Sequence, residues 1–410
     1  MDRTEQMLIL NELMGAIDAE RAMDSGRLLK NPTASFVDQD LAAREWNTLF
    51  RDHPQMLGLS GDLPSPGSFI TTNYLGTPIL ATRAEDGRFR AFVNACRHRG
   101  APLTTEARGE RLRFVCRYHA WTYAADGELV GIANPDQFGA NKQSCLNLVE
   151  LPAAERYGML FVHPRVDGVL NVDALLGDIA PELASWGLEQ ATYLGDQLID
   201  SKLNWKLAQD IFGENYHVKA LHKDTLAKVA YSDISTYREY GRHHRLTVPM
   251  RYIDSMRRQP EQDWNLLDAA VLVYHVFPNV QFVFVNGAVS VTRIYPDPRD
   301  VGHSYSVLTH YATAGAQVAV DSDDRLTGEN LYANGASCNK VWDRSAMEEL
   351  FDSTAEQEDY WMGTKLQQTA ASGAIDYFVI GRNEQPVQHF HQSYRSALGL
   401  PPLEEFVGTR

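Results

Sequence analysis

Residues 204–222 read Asn204-Trp205-Lys206-Leu207-Ala208-Gln209-Asp210-Ile211-Phe212-Gly213-Glu214-Asn215-Tyr216-His217-Val218-Lys219-Ala220-Leu221-His222. Wound at about 3.6 residues per turn, this run sets Glu214 angularly between His217 and His222, so one carboxylate and two imidazoles share a side. The pattern predicts a metal-binding face on a helix. The histidines are five residues apart, one more than a regular helix uses to bring two side chains together, so a local widening or bend is expected between them. Two histidines and one carboxylate with open coordination positions suit a non-haem Fe(II) that activates O2. The third ligand must then come from elsewhere in the chain. Zinc proteases set their histidines four apart with a glutamate straight after the first, and here Val218 holds that place. Two histidines at this distance also occur as ordinary polar or core residues, so the reading needs a second signal.

That signal lies upstream, in Asn94-Ala95-Cys96-Arg97-His98-Arg99-Gly100-Ala101-Pro102-Leu103 and Val115-Cys116-Arg117-Tyr118-His119-Ala120-Trp121-Thr122-Tyr123. Cysteine and histidine are two apart in the first arm and three apart in the second, with 17 residues between His98 and Cys116. Two thiolates and two imidazoles on paired loops match a Rieske [2Fe-2S] centre, in which cysteines hold one iron and histidines the other. Neutral imidazoles leave such a cluster less negative and its potential higher than that of a four-cysteine cluster. A Cys2His2 zinc site uses the same four residues, but zinc sites usually take a cysteine pair and then a histidine pair. Each arm here supplies one of each, which favours iron and sulfide.

On these motifs the chain resembles the large (alpha) subunit of a Rieske non-haem iron oxygenase over nearly all of its length. The cluster motif stands as Cys96-Arg97-His98-Arg99-Gly100-Ala101 and Cys116-Arg117-Tyr118-His119-Ala120-Trp121, and the catalytic motif as Glu214, His217 and His222 after Asn204-Trp205-Lys206. Weaker echoes follow at Phe277-Pro278-Asn279, at Arg293-Ile294-Tyr295-Pro296, and from Glu384 to Tyr394. The resemblance implies an α+β chain: a small all-β Rieske [2Fe-2S] domain and a larger helix-grip (START-like) catalytic domain whose antiparallel sheet is covered by helices. It implies a cluster held by Cys96, His98, Cys116 and His119, and an Fe(II) held by His217, His222 and one carboxylate. It also implies a homotrimer in which Glu214 bridges a cluster histidine of one chain and an iron histidine of another. Ring-hydroxylating relatives commonly carry aspartate there, and glutamate is more typical of relatives that oxidise alkylammonium compounds.

The third ligand is sought on a predicted long helix at residues 341–369, where Asp352, Glu356 and Asp359 fall at offsets of zero, four and seven and so on one face. Taken alone, that is the pattern of a solvated acidic stripe. The text Gln357-Glu358-Asp359 through Gln367 is similar to the family's carboxylate-ligand motif, which picks out Asp359, ahead of Glu356 and Asp352.

The implied activity is that of an oxygenase component using O2 and electrons from a NAD(P)H-dependent reductase, with or without a ferredoxin, to hydroxylate an aromatic compound or aromatic acid. Two alternatives stand beside it: monooxygenation of a methylated amine or ether, giving demethylation, and a Rieske electron carrier fused to a ligand-binding domain. Mono- and dioxygenation, and the presence of a beta subunit, stay open.

The 410 residues suffice for two domains with substantial cores. A net charge of −15, from 38 basic and 53 acidic residues, argues against nucleic acid or an anionic membrane as partner. No leader or membrane span is expected, because Asp2, Arg3, Glu5, Glu12 and Asp18 interrupt the first apolar run, so a cytoplasmic protein is the simplest expectation. Cys145 and Cys338 are expected as buried free thiols in a reducing compartment. Domain boundaries are placed at 1–44 for N-terminal helices packing on the catalytic domain, 45–165 for the Rieske domain and 166–410 for the catalytic domain. Apolar runs at 79–82, 88–93, 112–115 and 157–162 read as strands of the first, and runs at 197–206, 271–277, 280–285, 289–295 and 301–312 as strands of the second. His243 and His244, with Arg242, Arg245 and Arg251, read as a solvated basic loop, and His389 and His391 as structural.

Overall fold

The computed structural model describes residues 1–138, 145–285, 287–314 and 351–406. The chain forms two units: Met1–Glu45, Leu176–Trp186 and Thr192–Arg410 in one, Trp46–Leu175 and Gly187–Ala191 in the other. The second unit thus runs ten residues past 165 and takes back a short later stretch. Gly158, at φ +74°, explains the return: a Cβ there would lie 2.2 Å from the Glu189 nitrogen, so only glycine admits the segment.

The larger unit is organised on seven strands: β1 (Thr192–Ser201), β2 (Thr236–Tyr240), β3 (His243–Pro249), β4 (Ala270–Val276), β5 (Val280–Val285), β6 (Ala288–Asp297) and β7 (Asp300–Ala312). Their order is β1-β7-β6-β5-β4-β3-β2, and all neighbours are antiparallel. β6 is buried along nearly its whole length, which an alternating pattern would not produce, because both faces of the sheet are covered. One face receives α3 (Trp205–Asp210), α6 (Gln385–Ala397) and the segment from Asp352 through α5 (Trp361–Ser372). Tyr360 there donates to Ser306 at 2.6 Å, and Gln209 Nε2 lies 2.6 Å from His275 Nδ1. The other face receives α1 (Arg3–Asp18) and residues 176–186: Glu182 accepts from Arg245 at 2.5 Å and from Tyr274 at 2.6 Å, and Glu5 accepts from Arg245 at 3.2 Å.

Several sequence expectations change here. His243, His244 and Arg245 lie in β3 at 5%, 4% and 4% exposure, not in a solvated loop. The carboxylates that neutralise Arg245 come from Glu5 and Glu182, far away in sequence, so composition around residue 245 gives no hint of them. The strand expected over 197–206 stops at Ser201, and Asn204 caps α3 by accepting from the Lys206 N–H at 3.0 Å. The helix expected at 341–369 is described from Asp352, and residues 341–350 lie outside the described residues. Cys145 is exposed rather than buried, and Cys338 lies outside the described residues.

A buried ion pair fixes α3. Lys206 Nζ is 2.6 Å from Glu45 Oε1 in α2 (Gln39–Glu45), Trp205 Nε1 donates to Glu45 Oε2 at 2.7 Å, and Tyr394 of α6 donates to Glu45 at 2.5 Å. Removing one partner of such a pair costs about 3–5 kcal/mol, since the other charge stays buried.

Among its described residues the smaller unit is antiparallel β, apart from short helical turns. A five-stranded sheet runs Glu150–Leu151, Phe89–Val93, Ile79–Arg83, Ser68–Thr72, Arg108–Glu110, beside two three-stranded sheets. Its core gathers Phe69, Phe92, Phe114, Trp121 and Tyr123 around Cys96 and Cys116.

Candidate metal centres and active site

The cluster loops repeat one backbone design. Cys96 N–H donates to Ala101 O at 2.8 Å and Gly100 N–H to Cys96 O at 2.8 Å; in the second loop Cys116 N–H donates to Trp121 O at 2.8 Å and Ala120 N–H to Cys116 O at 2.9 Å. The fifth residue of each turn is left-handed, Gly100 at φ +74° and Ala120 at φ +57°. Alanine there is strained, and the buried Trp121 that follows it holds the turn. The turns bring His98 Nδ1 within 3.1 Å of His119 Nδ1, with His98 stacked on Trp121 at 5.1 Å. Both thiols are buried and free, and Tyr123 OH lies 3.5 Å from Cys96 Sγ and accepts the Arg97 N–H at 3.0 Å. Burial pushes the Cys96 thiol up. Buried thiols without a disulfide, beside two imidazole nitrogens that face each other, fit a two-iron cluster.

The histidine segment is built differently from the single helix expected. α3 ends at Asp210, and only one helical turn, α4 (Val218–Leu221), follows, with His217 and His222 as its flanking residues. The chain between crosses α6 so closely that a Cβ on Gly213 would lie 2.6 Å from Val387 Cγ2. Asn215 pins the crossing by donating to Tyr231 O at 3.0 Å and Ile234 O at 2.8 Å. Glu214 is therefore outside the helix. Its carboxylate accepts from the backbone N–H groups of Tyr216 and of His217, the latter at 3.1 Å, and from His217 Nδ1. Burial works to raise the Glu214 carboxyl, but these hydrogen bonds outweigh it and hold it below its usual range.

With Nδ1 engaged, His217 turns Nε2 inward, to 3.4 Å from Asp359 Oδ1. His222 Nε2 is 3.0 Å from the same oxygen, and its Nδ1 is 2.6 Å from Glu358 Oε2, which also accepts from Thr225 Oγ1 at 2.8 Å. The ligand atoms of His217, His222 and Asp359 lie within 4.8 Å of one another. The His222 ring is 0% exposed, and despite its proximity to Asp359 its Nε2 makes no properly angled hydrogen bond. A buried nitrogen with an open lone pair, next to a second imidazole and a carboxylate, fits a divalent iron.

Of the three acidic candidates only Asp359 joins the histidines. Glu356 is exposed, and Asp352 accepts from Gln197. The reason is the winding: Asp352–Tyr360 is a π-helix, whose wider i→i+5 turns carry Asp359 off the face of Asp352 and Glu356. Residues not singled out from sequence are Glu358, Thr225, and, behind the site, Asp210, 2.9 Å from the His391 read as structural. Glu384 is another: burial, against the Gly381 N–H and with repulsion from Glu214 and Asp210, pushes it up to about 7. Glu358 had a signal, since each metal-binding histidine needs a partner for its second nitrogen.

Two family models match. The Rieske [2Fe-2S] domain covers residues 53–150, and the ring hydroxylating alpha subunit (catalytic domain) covers residues 188–400, just over half of the chain. The chain belongs to the ring-hydroxylating alpha subunit family. This alpha subunit is 29% identical over 203 residues to the glycine betaine monooxygenase oxygenase subunit of Chromohalobacter salexigens, covering 49% of the chain and 45% of that protein. It is 33% identical over 202 residues to the large oxygenase component of the naphthalene 1,2-dioxygenase system of Ralstonia sp, covering 46% and 44%. The matches therefore span less than half the length of these curated relatives. In fold it is similar to a quaternary ammonium Rieske monooxygenase with L-carnitine (TM-score 0.72, 18% identity, 90% and 95% covered). It is likewise similar to naphthalene 1,2-dioxygenase from Rhodococcus sp. bound to indole (TM-score 0.69, 17%, 96% and 98%). The family's two domains imply a Rieske cluster and a mononuclear iron. Among the described residues, no helix is long and apolar enough to cross a membrane.

Proposed function

We propose that this alpha subunit is the oxygenase component of a multicomponent Rieske non-haem iron oxygenase that hydroxylates an aromatic compound or aromatic acid. The observation that carries the reading is the convergence of His217 Nε2 and His222 Nε2 on one Asp359 oxygen, with each Nδ1 held by its own carboxylate. In this reading Cys96, His98, Cys116 and His119 hold the [2Fe-2S] cluster, and His217, His222 and Asp359 hold Fe(II). The bound iron would supply O2 activation, driven by electrons from a NAD(P)H-dependent reductase, directly or through a ferredoxin.

The chain's own residues set the geometry. Glu214 and Glu358 hold the two rings so that both Nε2 atoms turn toward Asp359, the three side chains that would hold the iron. Glu214 is also proposed as the carboxylate that faces a cluster histidine of a neighbouring chain in a homotrimer. A cytoplasmic setting and a role in aromatic hydrocarbon catabolism belong to the same proposal.

Oxidation of a methylated amine is the second reading. It is supported by Glu214 in place of aspartate and by the similarity to the glycine betaine and quaternary ammonium monooxygenases. A fused electron carrier would have no need of the ring-fixing carboxylates around His217 and His222. The test is metal analysis followed by turnover. About three irons and two sulfides per chain are expected, with substrate-stimulated O2 uptake and 18O in the product, across a panel of aromatic compounds and methylated amines. A colourless, zinc-containing protein without sulfide would end the oxygenase reading, and about two irons without O2 uptake would leave the carrier.

A further inference from the structure

The helix-covered face of the sheet carries a row of buried polar side chains. Along one cross-strand row, His244, His275, Gln281, Thr292 and Leu308 follow one another over β3, β4, β5, β6 and β7, each paired with the next. Gln197 of β1 continues the row beside Leu308. Directly paired positions of an antiparallel ladder point to the same face. Both ends are roofed: His389 of α6 lies 3.0 Å from His244, and Gln197 donates to Asp352. α3 reaches the row through Gln209.

Besides Gln197 Oε1 at the edge of the row, four polar atoms on this face have no hydrogen-bond partner among the described residues: His275 Nε2, Gln281 Oε1, Thr292 Oγ1 and Gln209 Oε1. Their residues are 0%, 2%, 0% and 2% exposed. Orphaned buried atoms destabilise a fold, so a group of them asks for a ligand that supplies the missing partners. The amide nitrogens of Gln209 and Gln281 approach His275 Nδ1 at 2.6 and 3.4 Å. Nδ1 is then the acceptor, and the ring proton sits on Nε2. The face thus offers one N–H donor, two carbonyl acceptors and one hydroxyl. None of these groups is charged, and burial, with the neighbouring imidazoles, holds His244 and His275 well below their usual range.

We propose that this face is a subsite for an uncharged group of the organic substrate that both donates and accepts hydrogen bonds, a hydroxyl or carboxamide, held by His275, Gln281 and Thr292. An ammonium or a carboxylate would be buried among these groups without a countercharge. The proposal rests on the oxygenase reading, because α3 leads into the His217–His222 segment and the Asp352–Tyr360 turn carries Asp359. The two ligand-bearing stretches therefore border this face.

Calorimetry on the oxidised holoenzyme tests it, with matched probes of two sizes: benzene, phenol and benzoate; naphthalene, 2-naphthol and 2-naphthoate. The phenols are expected to bind about tenfold tighter than the matching hydrocarbons, and Gln281→Leu and Thr292→Val each to remove about threefold of that preference, with a smaller effect on the hydrocarbons. Melting temperature in the absence of ligand should stay level or rise in Thr292→Val, because a buried atom without a partner is removed, whereas a structural role would lower it. Gln281→Leu also loses the 3.4 Å contact to His275 Nδ1, so Thr292→Val carries this readout. Equal binding of phenol and hydrocarbon, a preference that survives the double variant, tightest binding of the carboxylates, or no binding at all would overturn the subsite. Preferential phenol binding without O2 uptake would sink the oxygenase reading and leave the subsite standing.

Discussion

The cluster loops and the histidine segment solve one problem, holding metal ligands still, by different means. Around Cys96 and Cys116 the work is local: each loop closes on itself with the same two backbone hydrogen bonds, and both cysteines sit in the core between strands. Around His217 and His222 the local supports are Glu214 and Thr225, and the rest comes from far away in the chain. The third candidate ligand is 137 positions beyond His222, the orienting carboxylates approach from both sides in sequence, and the turn between the histidines is only four residues long. A local turn writes its ligands into a short motif. A non-local site spreads them, and its precision comes from carboxylates that touch no metal.

The strongest test of this contrast removes ligands. His222→Ala or Asp359→Ala is expected to lose the mononuclear iron and to cut turnover by several orders of magnitude, while the cluster's visible and paramagnetic signals persist. Cys116→Ser should do the reverse, abolishing those signals while the mononuclear iron stays bound. Loss of both centres in either variant would mean that the two regions do not fold independently.

Next come the carboxylates. Glu358→Gln, which keeps the shape but not the charge behind His222, is expected to lower iron affinity or turnover about 10–100-fold. Glu214→Gln should leave both centres filled and slow product formation at least as much. If single-turnover rates with a pre-reduced cluster are normal in Glu214→Gln, its role is confined to positioning His217. Thr225→Val, which removes only one donor from Glu358, should cost less than tenfold.

The smallest effects belong to the loops. Gly100→Ala is expected to destabilise the smaller unit by about 1–2 kcal/mol, as a Cβ enters a left-handed position, whereas Ala120→Gly should change stability by less than about 1 kcal/mol. Denaturant unfolding followed by loss of cluster absorption measures both, and a large loss in Ala120→Gly would mean that the two loops are not equivalent.

The same contrast governs what could be read from residues alone. Cysteine and histidine spacing and the strand runs on either side were legible because turn and strand chemistry are short-range. The histidine segment was legible as a pair of ligands but not as a shape. Its interruption between Asp210 and His217 depends on Gly213 meeting Val387, a contact that no periodicity contains. Likewise, offsets of four and seven from Asp352 assumed regular winding, and the π-helix moved Glu356 to solvent and brought Glu358 to His222. Arg242 lies in an exposed turn as read, but Arg245 was misread because its countercharges are remote.

Glu45 has a practical consequence for anyone who shortens this protein. A fragment cut to residues 188–400 would keep every mononuclear-iron ligand yet lack Glu45, leaving the Lys206 ammonium stranded in the interior and the Trp205 and Tyr394 donors without their acceptor. Such a truncation should express as insoluble or iron-free material, and supplying residues 1–45 in trans should rescue it.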